Sequence, residues 1–189
     1  MRVRFASLLF LVAVAIALAL PGATVAKTVA KTSFSSILSP TNRADVTGAA
    51  TLELQFRPLR VEVTLCVRGL QSGKPHAAAI YGFTDGRKAH CPGPNADTNL
   101  DGLISGPEVT PVAGQPLAWL KPLKSTRPGL WVYCGTISGA ALTALDPVGV
   151  PLTSRVIVVS GVTQMPTYTL PFWDPDAPAA CGAIKADKL

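Results

Sequence analysis

The residues with the clearest chemistry are the oxygen donors of Asp97-Thr98-Asn99-Leu100-Asp101-Gly102-Leu103-Ile104-Ser105-Gly106-Pro107-Glu108. They match the calcium-loop pattern D-x-D/N-x-D/N-G-x5-E at every specified position. The physical reason for the spacing is that Ca2+ takes roughly six to eight hard oxygen ligands at about 2.3–2.6 Å, and a tight turn must wrap them around it. The pattern predicts side-chain oxygens from Asp97, Asn99 and Asp101, the backbone carbonyl of Leu103, a direct or water-mediated contact from Ser105, and both carboxylate oxygens of Glu108. Gly102 permits the turn, and Ile104 is expected to point back into the protein as an anchor. So few Asp, Glu and Asn residues occur in the chain that a chance match is rarer than about one in a thousand. Three carboxylates without a second such loop point to a modest dissociation constant, on the order of 10⁻⁵ to 10⁻³ M, suited to extracellular calcium. Helices are not expected on either side: Cys91-Pro92-Gly93-Pro94 precedes the loop, and Pro107 and Pro111 limit what can follow.

Other chemistries have less to work with. No Gly-x-Ser-x-Gly elbow is present, and only two histidines, His76 and His90, could act as a base. Glu53 and Glu62 flank a hairpin turn and are expected to be solvated strand residues rather than a hydrolytic pair. The chain carries 17 basic and 11 acidic residues, a formal +6, but the basic ones are scattered singly. No basic stripe or aromatic ladder suggests nucleic-acid binding.

The elements that must position the loop are short strands. With 17 Pro and 16 Gly in 189 residues, long uninterrupted helices are disfavoured. Period-2 alternation predicts strands at 34–38, 51–56, 61–68, 76–83, 117–120, 130–137, 154–160, 168–172 and 181–185. The second and third form a hairpin around Arg57-Pro58-Leu59-Arg60, with Leu52, Leu54, Phe56, Val61, Val63, Leu65 and Val67 facing the core. Seven to nine short antiparallel strands and no convincing amphipathic helix imply an all-β, Greek-key-type sandwich. Residues 84–115 form a long insertion that carries the calcium loop, 97–108; segments of that length are usually functional or disordered.

Residues 1–26 read as a secretory signal. Arg2 and Arg4 open a basic start, Phe5 to Leu20 is apolar, Pro21-Gly22 breaks the run, and cleavage is expected after Ala26. The mature domain is then 27–189, with a net charge of about +4 and no later segment of membrane-spanning length. In an oxidising compartment Cys66, Cys91, Cys134 and Cys181 are expected to form two disulfides, with three connectivities open. The wide spacings and absence of CxxC argue against a zinc ribbon or a thioredoxin-like motif.

Several segments resemble the CHRD (chordin-type) domain family. They are Gly69-Leu70, followed by His76-Ala77-Ala78-Ala79-Ile80-Tyr81-Gly82-Phe83, close to "HxxHIHG"; the Cys-Pro segment with its Asp-x-Asn-x-Asp-Gly loop; Arg155 to Gly161, similar to "RVVVLHG"; and Ala179-Ala180-Cys181-Gly182-Ala183-Ile184, similar to "PVACGEI". The resemblance covers most of the mature chain and implies a sandwich related to that of Cu/Zn superoxide dismutase. It also implies a Cys91–Cys181 bridge, which leaves Cys66 to Cys134. His76 matches the first histidine of the family's metal-site pattern, but Ala79, Tyr81 and Ser160 stand where the others would be. A superoxide-dismutase-like metalloenzyme is thereby disfavoured, since one imidazole does not make a transition-metal site. The expected function is a secreted, non-catalytic, calcium-binding sandwich. Its role would be structural or interaction-mediating, with an extracellular protein or glycan as partner. A carbohydrate-binding module using an exposed Trp such as Trp173 is the further alternative.

Overall fold

The computed structural model describes residues 31–121, 123–127, 129–145, 151–164 and 172–188. The expected signal segment and residues 168–171 of one expected strand lie outside the described residues. Ten strands pair, all antiparallel: β1 (Lys31–Pro40), β2 (Thr47–Phe56), β3 (Leu59–Arg68), β4 (Ala77–Gly82), β5 (Gln115–Trp119), β6 (Lys124–Arg127), β7 (Leu130–Ile137), β8 (Val156–Gln164), β9 (Phe172–Ala183) and β10 (Lys185–Ala186). Their order is β5-β4-β8-β9-β1-β2-β3-β7-β6, with β10 beside β1. Strand β1 joins the two halves, because residues Lys31 to Leu38 pair with β2 while Ser39 and Pro40 pair with β9. One sheet therefore curls over itself, and the expected all-β antiparallel sandwich is what forms.

Alternation explains the first half directly. Successive strand side chains point to opposite faces, and Val61, Val63, Leu65 and Val67 of β3 are all buried, opposite Leu54, Leu52, Ala50 and Gly48 of β2 in turn. Burying side chains of this size stabilises the fold by roughly 1.5–3 kcal/mol each. Phe56 departs from the expected core set. It ends β2 opposite Leu59, beyond the reach of the core, and both residues are about half exposed. The turn between them is Arg57-Pro58, joined by a cis peptide bond. Glu53 and Glu62 lie directly opposite one another, and each has its own cation, Lys31 and Arg60 respectively.

The second half differs more from expectation. Strand β8 reads Val156-Ile157-Val158-Val159 without alternation because both of its faces are covered. Ile157 and Val159 enter the main core, whereas Val156 and Val158 enter a second cluster with Ala89, Ala96, Ile104, Val109, Ala113 and Cys181. The insertion thus forms an extra layer over the outer face of β8 and β9. Within it lies a helix the sequence did not suggest, α1 (Gly106–Ala113), and another, α2 (Gly139–Leu145), follows β7. Pro107 is tolerated because the first turn has no intrahelical use for its missing N–H. Strand β9 starts at Phe172, nine residues before its expected start at Cys181, and runs through Pro175 and Pro178; register shifts in its pairing with β8 near Ser160 accommodate the irregularity.

Candidate calcium loop and its anchors

The loop begins after a 3-10 turn, Pro94–Ala96, and ends in the first turn of α1. Its polar side chains are turned back onto its own backbone. The Asp97 carboxylate accepts the N–H groups of Asp101 and Gly102, at 3.2 and 2.8 Å, and Asn99 Oδ1 accepts the Asp101 N–H at 3.0 Å. Asp101 Oδ1 in turn accepts the Leu103 N–H at 2.9 Å, and the Asn99 amide donates to Asp101 Oδ2 at 3.0 Å. Short Asx side chains favour such turns. Gly102 sits at φ +86°, with open space where a Cβ would go, so conformation rather than crowding calls for glycine there.

Glu108 latches the loop to the helix. One carboxylate oxygen accepts the Ser105 N–H and hydroxyl, at 2.8 and 2.9 Å. The other accepts the Thr98 N–H and hydroxyl, at 2.8 and 2.9 Å, and the Asn99 N–H at 3.3 Å. Ser105 is the N-cap of α1 and Glu108 its third residue, so the first pair is the carboxylate half of a capping box. The Ser105 N–H is the main reason the carboxyl is held down to about 2, against the opposing effect of burial, with the Ser105 hydroxyl and Thr98 adding to the lowering.

The donor set suits calcium in kind and order: hard oxygens from Asp97, Asn99, Asp101, the Leu103 carbonyl, Ser105 and Glu108. Among the described residues no group of three or more His, Cys, Asp or Glu is arranged to hold a metal ion. The Asp97, Asn99, Asp101 and Glu108 oxygens accept hydrogen bonds from within the loop, and a carboxylate oxygen with two lone pairs can keep such a donor while meeting a cation.

Three anchors fix the loop to the sandwich. Ile104 is buried in the second cluster, as the sequence suggested. Cys91, six residues before the loop, is bonded to Cys181 of β9, the pairing the CHRD resemblance implied. The third anchor is one that sequence reasoning missed. Asn42, in the β1–β2 turn at φ +50°, accepts the Ile104 N–H at 2.6 Å and donates to the Ile104 and Pro178 carbonyls at 2.7 and 3.0 Å. An Asn after Ser39-Pro40-Thr41, a turn-favouring residue, is the signal the sequence offered, and it does not say what the amide reaches.

The expected second bridge is not formed. Cys66 and Cys134 are free thiols, half-buried and exposed respectively. Both lie mid-strand on neighbours β3 and β7, but Cys66 faces Val132 and Cys134 faces Thr64, which leaves them diagonal rather than opposite. His76 also takes no place in a histidine cluster. Its Nε2 lies 2.8 Å from the Gln71 carbonyl, and its ring meets Trp131 and Trp173 edge-on. Burial raises the Tyr81 hydroxyl's pKa, with the Ser160 side chain acting in the opposite direction. His90 is exposed and bonds through its backbone N–H to the Val112 carbonyl.

The fold and its anchored loop define the class: a disulfide-linked, all-β antiparallel domain whose insertion carries an Asx-rich loop held to the sandwich. No protein-family model matches the chain, and no curated protein does. No helix among the described residues is long and apolar enough to cross a membrane.

Proposed function

We propose that this is an exported, non-catalytic protein in which calcium clamps the 84–115 insertion onto the sandwich. The role of the clamped surface is structural or interaction-mediating at the cell exterior, toward a protein or glycan. The observation that carries the reading is the calcium-type order of oxygen donors in a loop already turned at Gly102 and moored at Ile104. Asp97, Asn99, Asp101, Leu103, Ser105 and Glu108 would hold the ion, which supplies positive charge among three carboxylates and ties the two ends of the loop together. The Cys91–Cys181 bridge agrees with export. Apart from Gly69-Leu70, which follows β3, the segments resembling CHRD domains lie in and beside β4, β8 and β9 and in the insertion, so the anchored part of the molecule carries most of the resemblance.

Calorimetric calcium titration of the oxidised protein, beside Asp101→Asn and an Asp97→Ala plus Glu108→Ala double variant, tests the reading. Saturable binding in the micromolar to millimolar range is expected, weakened in the first variant and lost in the second, with a calcium-dependent rise in melting temperature. Absence of binding at millimolar calcium by the unaltered protein would sink it.

A further inference from the structure

Asn42 lies 62 residues before Ile104 in the chain, yet its carboxamide makes the hydrogen bonds a second backbone strand would make. It accepts from the Ile104 N–H and donates to the Ile104 carbonyl. Those two groups belong to successive peptide units. The Ile104 N–H shares a plane with the Leu103 carbonyl, and the Ile104 carbonyl shares one with the Ser105 N–H. In a trans peptide the N–H and C=O of one unit point in opposite directions. Holding the Ile104 N–H against Asn42 therefore turns the Leu103 carbonyl away from Asn42. Holding the Ile104 carbonyl turns the Ser105 N–H away as well, and that N–H is the one that meets Glu108 at 2.8 Å.

The far side of the amide is fixed too. Asn42 donates to the Pro178 carbonyl, and its neighbour Thr41 bonds to the Pro178 carbonyl through its hydroxyl, at 2.7 Å, and to the Ala179 carbonyl through its N–H, at 3.0 Å. The turn is thus part of the β9 framework, three residues from Cys181. Between turn and loop lies a depression of about 400 Å³, bordered by Arg43, Pro94, Asp97 and Gly102. The amide bridges the two beside that gap.

We infer that Asn42 is the positioning residue of the calcium loop: it sets the two peptide planes that present the Leu103 carbonyl as a ligand and hold Glu108 at the loop's closing end. This rests on the calcium reading given above. It makes the β1–β2 turn part of the metal site although no Asn42 atom would touch the ion.

The test uses the oxidised protein and two variants. Asn42→Gly removes the amide while keeping a residue at ease with positive φ. Asn42→Asp keeps the acceptor for the Ile104 N–H and loses the donor. Calcium affinity is read by calorimetry, and exchange of the Ile104 and Ser105 amides is read without calcium. The expected result is about tenfold weaker calcium binding and faster Ile104 exchange in Asn42→Gly, with Asn42→Asp retaining slow Ile104 exchange. A melting temperature that falls while calcium affinity stays unchanged would show a merely structural turn and overturn the inference. Unchanged Ile104 exchange in Asn42→Gly would overturn it as well. Failure of the unaltered protein to bind calcium would overturn the calcium reading and this inference together, a result distinct from binding that is indifferent to Asn42.

Discussion

At the scale of single residues, Glu108 ties the start of the loop to the start of α1 through five hydrogen bonds. Its folded pKa of about 2 lies below the ordinary 4.5. Its stabilising contribution is therefore fully present above about pH 4.5 and is lost as pH falls through about 2. Glu108→Gln should cost roughly 1–2 kcal/mol at neutral pH in calcium-free buffer, the amide being a weaker acceptor for five donors. Thermal melts of both proteins at steps down to pH 2 should show the gap narrowing below pH 4.5. A constant gap would mean that the carboxylate's charge contributes nothing. Asp97, Asn99, Asp101, Gly102 and Glu108 were legible in the sequence because their chemistry depends on spacing within twelve residues. Asn42 was not, because its role is defined by a chain reversal that brings the β1–β2 turn to the insertion. Cys66 and Cys134 show the same limit: four cysteines suggest two bridges, but the register of β3 on β7 decides whether two sulfurs meet.

Among elements, the strand expected at 154–160 forms as β8, whereas the layer that covers it and the helices were not foreseen. Alternation identified β2 and β3 because each has one wet face. In β8 the run of Val156 to Val159 is apolar on both faces, which is the sequence trace of a covering layer, and the insertion supplies it. Helix α1 was hidden by its prolines, although the Ser105 and Glu108 pair was in view as calcium ligands and is equally a helix start. Arg155, at the entry to β8, shows how such elements are tied together. It is fully buried, and it donates from Nε to the Leu145 carbonyl at the end of α2 and from Nη1 to the Phe83 carbonyl after β4. A Cβ at Gly82 would come within 2.5 Å of the Arg155 Cδ, so glycine makes room for the side chain. Arg155→Met should lower stability by about 2–4 kcal/mol, because buried carbonyls lose charged donors. Arg155→Lys should not restore it, since an ammonium lacks the guanidinium's spread of donors. Urea denaturation midpoints would check both variants.

For the whole molecule, the Cys91–Cys181 bridge joins positions separated by 90 residues. Constraining a loop of that length in the unfolded chain is worth about 4–5 kcal/mol in the loop-entropy picture. Reduction, or paired Cys91→Ser and Cys181→Ser replacement, should lower stability by that amount in denaturant melts. Cys66→Ser and Cys134→Ser should each change it by less than about 1 kcal/mol, as expected of residues without a bridge to lose. Comparable losses in both pairs would mean that Cys66 and Cys134 are bonded in solution. The sandwich itself was readable from strand count and turn residues, whereas its curling through β1 and its added third layer were not. Those depend on which edges meet, and no local pattern records that. The bridge also spans α1, β5, β6, β7, α2, β8 and most of β9. A protease that cuts the backbone once anywhere inside this ring therefore releases nothing. The two pieces stay covalently joined, and a nicked molecule keeps its full mass until its sulfurs are reduced.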